Sequence, residues 1–530
     1  MKSLGFFLSL FILHFSFGIA SSQIYRPEDW VSYIDSRYVT SIAGDLQTIY
    51  VGTLGGVLRY DRMTEEWIDP LTQASGLGGS SVQLIAIDRL TSQPWFLTEE
   101  ALAVYQPLSY HFSHFTSLGD LSPKEVQSIG MNPDAIWLEG GSKKVKYDRG
   151  RRVWESVSNF PEEIEWFGKR DPDSLDNPKY RFLSPYTVQD KKFREYPMTA
   201  LIKDGKDLWV GTWGYGVFRY STFSFLGEKL LSGLSHSNVE AMAKEGESLW
   251  FGGSGVTLWN REESASGRWH HIDVEVGFKP VLTGVTSILT EPDSVALDSG
   301  GRVWFGTSDG LIRYQMKDGF WKTLRKFHGL PHNSVTALAL DGEEIWIGTK
   351  RGLGKISRYG ERVISIKELK DLEIYDLYVQ PDYLWVATSS GVFLLNKGEG
   401  KWGILEDPEG NIGFGTTALE GDGDLIWFGT LIGVLVYDTK EKRWDRFSSE
   451  LFLPNRRIND FAADEENLWV GTDGGVAKYR KGERTWQTYT TSDGLISNVV
   501  KAILLDGDYI FFATPKGVTK FYWNDPFLPK

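Results

Sequence analysis

Between Ser334 and Ile356 the chain reads Ser334-Val335-Thr336-Ala337-Leu338-Ala339-Leu340, then Asp341-Gly342, then Ile345-Trp346-Ile347-Gly348-Thr349, Lys350-Arg351 and Gly352-Leu353-Gly354-Lys355-Ile356. The first apolar run ends on Asp-Gly, a strong short turn signal. A second run is centred on a tryptophan, and a third opens on glycine after a brief loop. Runs this short, joined by turns this tight, make antiparallel strands and leave no room for a crossover helix. Gly352 suits a hairpin that needs positive φ, and Gly348 leaves space for close strand packing.

Working outward, the same stretch recurs along nearly the whole chain. Good copies of apolar-Trp-apolar-Gly-Thr stand at Trp209, Trp304, Trp346, Trp427 and Trp469, with altered copies at Tyr50, Trp95, Trp137, Trp250, Trp385 and Phe511. From Trp304 the aromatic steps by 42, 39, 42, 42 and 42 residues to Phe511. That is the length of a four-stranded propeller blade. A second tryptophan follows many copies, at Trp67, Trp154, Trp269, Trp321, Trp402, Trp444 and Trp486, and Trp30 holds the equivalent place before the first copy. The two series take 17 of the 21 tryptophans. Burying one such side chain is worth roughly 4–6 kcal/mol as an upper bound, so they are read as blade-packing residues. A Gly-Leu pair six residues before a valine precedes several inner strands, as in Gly76-Leu77 to Val82, Gly329-Leu330 to Val335 and Gly494-Leu495 to Val500.

The expected fold is therefore all-β, a β-propeller of about twelve four-stranded blades in two rings of about six. Seven plus five, or one large ring, are the alternatives. The twelfth blade is a compact one at Tyr180 to Tyr196, inside the 72-residue gap from Trp137 to Trp209, and Pro161 to Lys179 is a charged, solvated insertion. The excess in the 54-residue gap from Trp250 to Trp304 marks a linker, giving a first propeller over 23–283 and a second over 284–530. The N-terminal strand near 30–34 completes the last blade and removes an exposed sheet edge.

Residues 1–22 read as a secretory signal: Lys2, an apolar run from Leu4 to Phe17, then Gly18-Ile19-Ala20 as a cleavage site. The mature protein is expected in the periplasm or the medium. Cysteine is absent, which excludes disulfides, thiolate metal sites and a lipoprotein anchor. A net charge of −13 argues against a nucleic-acid partner.

Apolar-Trp-apolar-Gly-Thr followed by Gly-apolar-x-basic-Tyr, as in Gly310-Leu311-Ile312-Arg313-Tyr314 and Gly475-Val476-Ala477-Lys478-Tyr479, resembles the two-component regulator propeller repeat. So does Gly-Leu-Pro-His-Asn-Ser-Val at 329–335. The resemblance runs from about residue 30 to 523. In that family the repeats form periplasmic ligand-sensing halves of hybrid histidine kinases, and similar propellers occur in the surface complex of type IX secretion. No membrane span or kinase follows the repeats here, and nothing after Tyr522 is long enough for a C-terminal sorting domain. Signalling in cis and that export route are thus not expected.

No Gly-x-Ser-x-Gly elbow, Walker loop, His-Glu-x-x-His or dinucleotide fingerprint occurs. His111 and His114 would face opposite sides of a strand, which disfavours a ligand pair. Glu420 to Asp424 sits where other copies carry Asp-Gly turns, so a turn is favoured over calcium. The candidates left are loop residues on one rim, where the resemblance implies that ligands bind: Trp213, Tyr215, Asp309, Lys350, Arg351, Asp473, His236, His328 and His332. The expected function is a non-catalytic binding or scaffold propeller without cofactor or metal. Its partner is a glycan, peptide or protein, with an envelope or sensor-system protein as one such partner. A propeller lyase or hydrolase, with acid and base groups in the central funnel, and an envelope or secretion assembly subunit are the alternatives.

Overall fold

The computed structural model describes residues 26–168, 187–190, 193–224, 227–262, 268–272, 284–291, 301–407, 410, 412, 415–431, 433–448 and 453–524. Their strands gather into eleven antiparallel sheets, nine of four strands and two of five. The protein is an all-β propeller. In the Trp346 blade, the strands Val335–Asp341, Glu344–Thr349, Gly352–Ser357 and Ile364–Ser365 follow one another from the inside outward. The other blades are named below by their own central aromatic.

The repeat has a direct physical meaning. Central indoles such as Trp250, Trp304 and Trp469 are completely buried. The second tryptophans lie against tyrosines of the third strand, with Trp486 4.8 Å from Tyr479 and Trp444 4.7 Å from Tyr437. The repeat threonine is buried, and its hydroxyl donates to the carbonyl of the glycine across the hairpin at 2.7–2.9 Å in the blades of Trp304, Trp346, Trp385, Trp427 and Trp469. A buried hydroxyl is thereby satisfied inside its own turn. The glycine before threonine admits the next blade: a Cβ on Gly348 would stand 2.8 Å from Ile374, and one on Gly306 2.7 Å from Val335.

Neighbouring blades are stapled at both ends. On the rim side, a bulged residue of the inner strand donates to the first carbonyl of the next inner strand: Thr40 to Val82, Thr199 to Val39, Thr286 to Val335, Thr336 to Ile374, Thr417 to Ile458 and Asn459 to Val500. On the opposite side, an acid that ends one inner strand meets a base that follows the third strand of the next blade. These pairs are Asp88–Arg149, Asp204–Arg62, Glu291–Arg358, Asp341–Lys397, Asp422–Lys481 and Asp506–Arg261.

The staples trace the order of blades. Asp506–Arg261 and a shared core of Phe511, Val518, Phe251 and Trp259 join the Phe511 blade to the Trp250 blade. The Trp250 blade packs in turn on Val285, Val303 and Phe305 of the Trp304 blade. The packing therefore runs in a circuit of seven sheets from Trp250 to Phe511, and the boundary expected at 283/284 falls inside it. We propose instead that the chain divides near residue 234, with the sheets of 39–230 in the first ring, where Thr199–Val39 and Asp204–Arg62 link the Trp209 blade back to the Tyr50 blade. Trp30–Tyr33 forms the outer strand of the Phe511 blade, and Trp30 stacks on Phe521 at 3.7 Å and 9°.

Two further expectations need correction. Residues 187–189 and 195–197, assigned to a twelfth blade, form a hairpin that prolongs the inner strand Glu195–Asp204 of the Trp209 blade. Tyr180 to Ser184 lies outside the described residues, as does the secretory signal. Within the insertion, Glu165–Phe167 is a strand paired inside Ser128–Met131 of the Trp137 blade, and Phe167 packs on that core. Its Trp166-Phe167 pair was masked in the sequence by the surrounding charge.

Candidate functional site

The nine candidate residues do not form one cluster. Five of them meet on the rim shared by the Trp304 and Trp346 blades, where the hairpin of one blade touches the crossover into the next. Asp309 sits in the hairpin, its N–H bonded to Thr307 Oγ1 at 3.1 Å. Arg325 donates to its carboxylate at 2.9 Å and to its carbonyl at 3.0 Å, and Asn333 reaches the same carboxylate at 3.4 Å. The short turn Lys326–His328 follows, closed by Gly329 at φ 98°. His328 Nδ1 accepts the Arg325 N–H at 3.0 Å, which requires an unprotonated nitrogen. Desolvation, then the cations Lys322, Arg325 and Arg362, hold its pKa below the usual histidine range. His332 Nδ1 accepts the Ser334 N–H at 2.9 Å, and the Lys350 N–H donates to the Ser334 carbonyl at 3.1 Å. Arg351 pairs with Asp371 at 3.0 Å. Beside it opens a hollow of about 330 Å³ lined by Lys326, Pro331, Arg351, Ile366, Lys367 and Lys370, among others.

The other four lie elsewhere. Trp213 and Tyr215 stand on the Trp209 blade. Trp213 stays 43% exposed and meets Tyr38 edge-on, so it keeps a free face. Tyr215 stacks on Tyr196 at 4.5 Å and carries Lys229 Nζ 3.9 Å over its ring, which leaves little for a ligand. Asp473 accepts from Asn459 at 2.9 Å, alongside the staple that Asn459 makes to Val500. His236 departs from the expected exposed rim: it is buried in the crossover that leads into the Trp250 blade, and desolvation pushes its pKa down to about 4. His114, from the weak metal pair, donates to the Gly76 carbonyl at 2.8 Å.

Two features were missed. One is a hollow of about 350 Å³ walled by Trp67 and Asp69 of the Tyr50 blade, Trp259 and Trp269 of the Trp250 blade, and Lys520. No single repeat signals it, because its walls come from distant blades. The other is a set of three carboxyls on the inner strands of consecutive blades, Asp376, Glu420 and Asp460. Desolvation by burial is the main cause that raises Asp376 to about 6, Glu420 to about 7 and Asp460 well above its ordinary value, and Glu420 and Asp460 feel the neighbouring acids as well. Asp376 and Asp460 are also staples, accepting the Leu419 and Ile503 N–H groups of the next blade at 2.7 Å each. Spacings of 44 and 40 residues separate the three, and only the inner-strand register shows that they lie on successive blades.

With this geometry in place, comparison with known proteins becomes informative. Residues 329–351, which span this rim and the second strand of the Trp346 blade, match the family model described as two component regulator propeller. The chain carries a two-component regulator propeller repeat. No curated protein sequence matches it. Among solved structures it is similar to PorZ, a surface component of the type-IX secretion system of Porphyromonas gingivalis. The identity is 13%, the match covers 93% of this chain and 87% of PorZ, and the TM-score is 0.62. It is also similar to the extracellular domain of a protein assigned to a hybrid two component system of B. thetaiotaomicron, at 17% identity over 91% of this chain and 68% of that one, with a TM-score of 0.44. The PorZ likeness establishes a shared fold for this repeat protein.

Proposed function

We propose that this repeat protein is an exported, non-catalytic binding or scaffold propeller that recognises its partner at the rim of the Trp304 and Trp346 blades. The observation that carries the reading is convergence: local hydrogen bonds hold Asp309, His328, His332 and Lys350 on this rim, and Arg351, the next residue, lines the hollow. Their backbones are held by local hydrogen bonds, so the loops present fixed side chains on a rigid scaffold. The propeller fold shared with a secretion-system surface component fits a role outside the cytoplasm. No helix among the described residues is long and apolar enough to cross a membrane.

Thermal-shift screening against oligosaccharides, peptides of either charge and metal ions tests this, because a ligand that binds only the folded state raises the melting temperature. One class should raise it, and Asp309→Ala or Arg351→Ala should abolish the rise. A panel without any shift, or a shift indifferent to both variants, overturns the rim reading.

A lyase or hydrolase is the second reading, and one observation favours it: Asp376, Glu420 and Asp460 have raised pKa values on adjacent inner strands, as an acid–base site requires. Glu420 is the group to test, since among the described residues its carboxylate accepts only the neighbouring Gly421 N–H, at 2.9 Å, and staples no blade. An activity found in any substrate screen should vanish in Glu420→Gln if this reading holds.

A further inference from the structure

The rim of the Trp346 blade concentrates positive charge on an acidic protein. Residues 317–371 hold eleven Lys or Arg against seven Asp or Glu, in a chain of net charge −13. Three ammonium groups around the hollow, those of Lys326, Lys367 and Lys370, have no ion-pair partner among the described residues. The fourth cation, Arg351, has Asp371, but both side chains are more than half exposed, at 64% and 56%, so the pair is open to exchange. Unpaired cations that edge a concave surface focus the field on an incoming anion.

The same place exposes apolar side chains. Phe327 is 72% exposed and Ile364 is 61% exposed. The segment that carries Ile364 is bonded to the turn that follows Phe327: the Val363 N–H donates to the His328 carbonyl at 2.9 Å, and Ser365 Oγ donates to the Gly329 carbonyl at 3.0 Å. Ile364 therefore stands next to the Lys326–His328 turn that carries Phe327. Pro331 and Ile366 continue the apolar lining inside the hollow.

We propose that this hollow docks an acidic polypeptide segment of a partner protein. Carboxylates exchange with Asp371 on Arg351 and meet the three lysines, while an apolar side chain of the segment covers Phe327 and Ile364. Arg is suited to such exchange because its planar fork binds carboxylates bidentately. The adjacent apolar pair distinguishes a polypeptide from a simple polyanion, which would leave Phe327 and Ile364 uncovered. The inference rests on the rim reading above and names the chemistry of its partner.

Fluorescence anisotropy on the full mature chain tests it with four labelled probes: an Asp/Glu/Leu peptide, its Ser/Leu and Lys/Leu counterparts, and a heparin-derived oligosaccharide of similar length. The acidic peptide should bind best and weaken at high salt. The double variant Lys367→Glu/Lys370→Glu should weaken it about tenfold or more, Phe327→Ser about fivefold, and the exposed Lys440→Glu, on the Trp427 blade, should leave it unchanged. The variants are surface changes, and an unaltered melting temperature verifies that they fold. Equal binding of the acidic and Ser/Leu peptides, or indifference to the double variant, overturns the inference. Tighter binding of the oligosaccharide, lost in the same double variant, also overturns it while leaving the rim reading standing. Binding of no probe here, with no shift in the thermal screen, removes both.

Discussion

The Trp469 and Trp346 blades share the pattern of their first three strands and part at the fourth. In the Trp469 blade the outer strand Thr485–Tyr489 carries Trp486 against Tyr479. In the Trp346 blade the outer strand is only Ile364–Ser365 and no second tryptophan is present. The staple at the far end differs too. Lys481–Asp422 keeps side-chain exposures of 14% and 26%, whereas Arg358–Glu291 is fully buried, with Arg358 Nε and Nη2 donating to Glu291 Oε2 at 2.9 and 2.6 Å and Trp304 Nε1 donating to Oε1 at 2.6 Å. The contrast teaches that the inner strands define the blade. The outer strand and rim are where one copy departs, and in the Trp346 blade they carry the cationic hollow.

The sharpest break of this comparison is the staple itself. Arg358→Met should destabilise by about 3 kcal/mol, because it leaves the buried Glu291 carboxylate with only the longer pair to Arg302 at 3.5 Å among the described residues. Lys481→Met should cost only about 1 kcal/mol, since Asp422 still reaches water. Equilibrium denaturation of both variants measures the gap, and equal losses would mean that the Trp346 blade has no special dependence on its ion pair. The double replacement Glu291→Met/Arg358→Met should recover much of the single loss, as apolar substitutes for buried pairs often do.

Next in size is the hairpin glycine. Gly475 has φ 137°, and a Cβ there would fall far inside contact distance of the Tyr489 carbonyl oxygen of its outer strand. Gly352 has φ 123°, but its Cβ would meet Pro331 at 3.3 Å and the Leu369 oxygen at 3.5 Å. Gly475→Ala therefore combines strain with a backbone clash, about 3 kcal/mol, and Gly352→Ala strain alone, about 1 kcal/mol. Melting temperatures that rank the two in reverse would show that the outer strand of the Trp469 blade yields more easily than its tryptophan packing implies.

These cases show what was legible in sequence. Trp346, Gly348, Thr349 and Gly352 act within one blade or on its immediate successor, so each repeat reports its own geometry and the propeller could be read directly. The order of blades depends on pairs such as Asp204–Arg62 and Asp506–Arg261, which lie far apart along the chain and carry no local signature. The division proposed near residue 234 rests on such pairs, which no local reading of the sequence supplies. The proposed rim was legible in part: Asp309, Lys350 and Arg351 stand at fixed offsets from the Gly-Thr motif, whereas Lys367 and Lys370 look like any solvated charges until the 363–366 segment is bonded to the 328–329 turn. His236 misled because its neighbours in sequence belong to a rim motif, while its ring is packed beside Ser235 and Gly255 and is buried.

The smallest expected effect concerns the inner strand, where Asp460 of the Trp469 blade occupies the place that Ala337 holds in the Trp346 blade. Burial, then the charges of Asp376 and Glu420, raise the Asp460 pKa, although its bond to the Ile503 N–H works against the shift. A carboxyl whose folded pKa exceeds its unfolded one binds more protons when folded, so its contribution to stability is present in acid and is lost as pH rises through the folded pKa. Asp460→Asn keeps an oxygen for the Ile503 N–H and removes the titration. At alkaline pH, where the parent carboxyl is ionised, the variant should be more stable than the parent. The advantage should shrink to nothing below pH ~4, where the parent carboxyl is protonated in both states. Denaturation across that range decides the matter. A constant difference would assign the effect to the staple geometry, and a loss of stability above neutrality would mean that the ionised carboxylate is the better acceptor for the next blade.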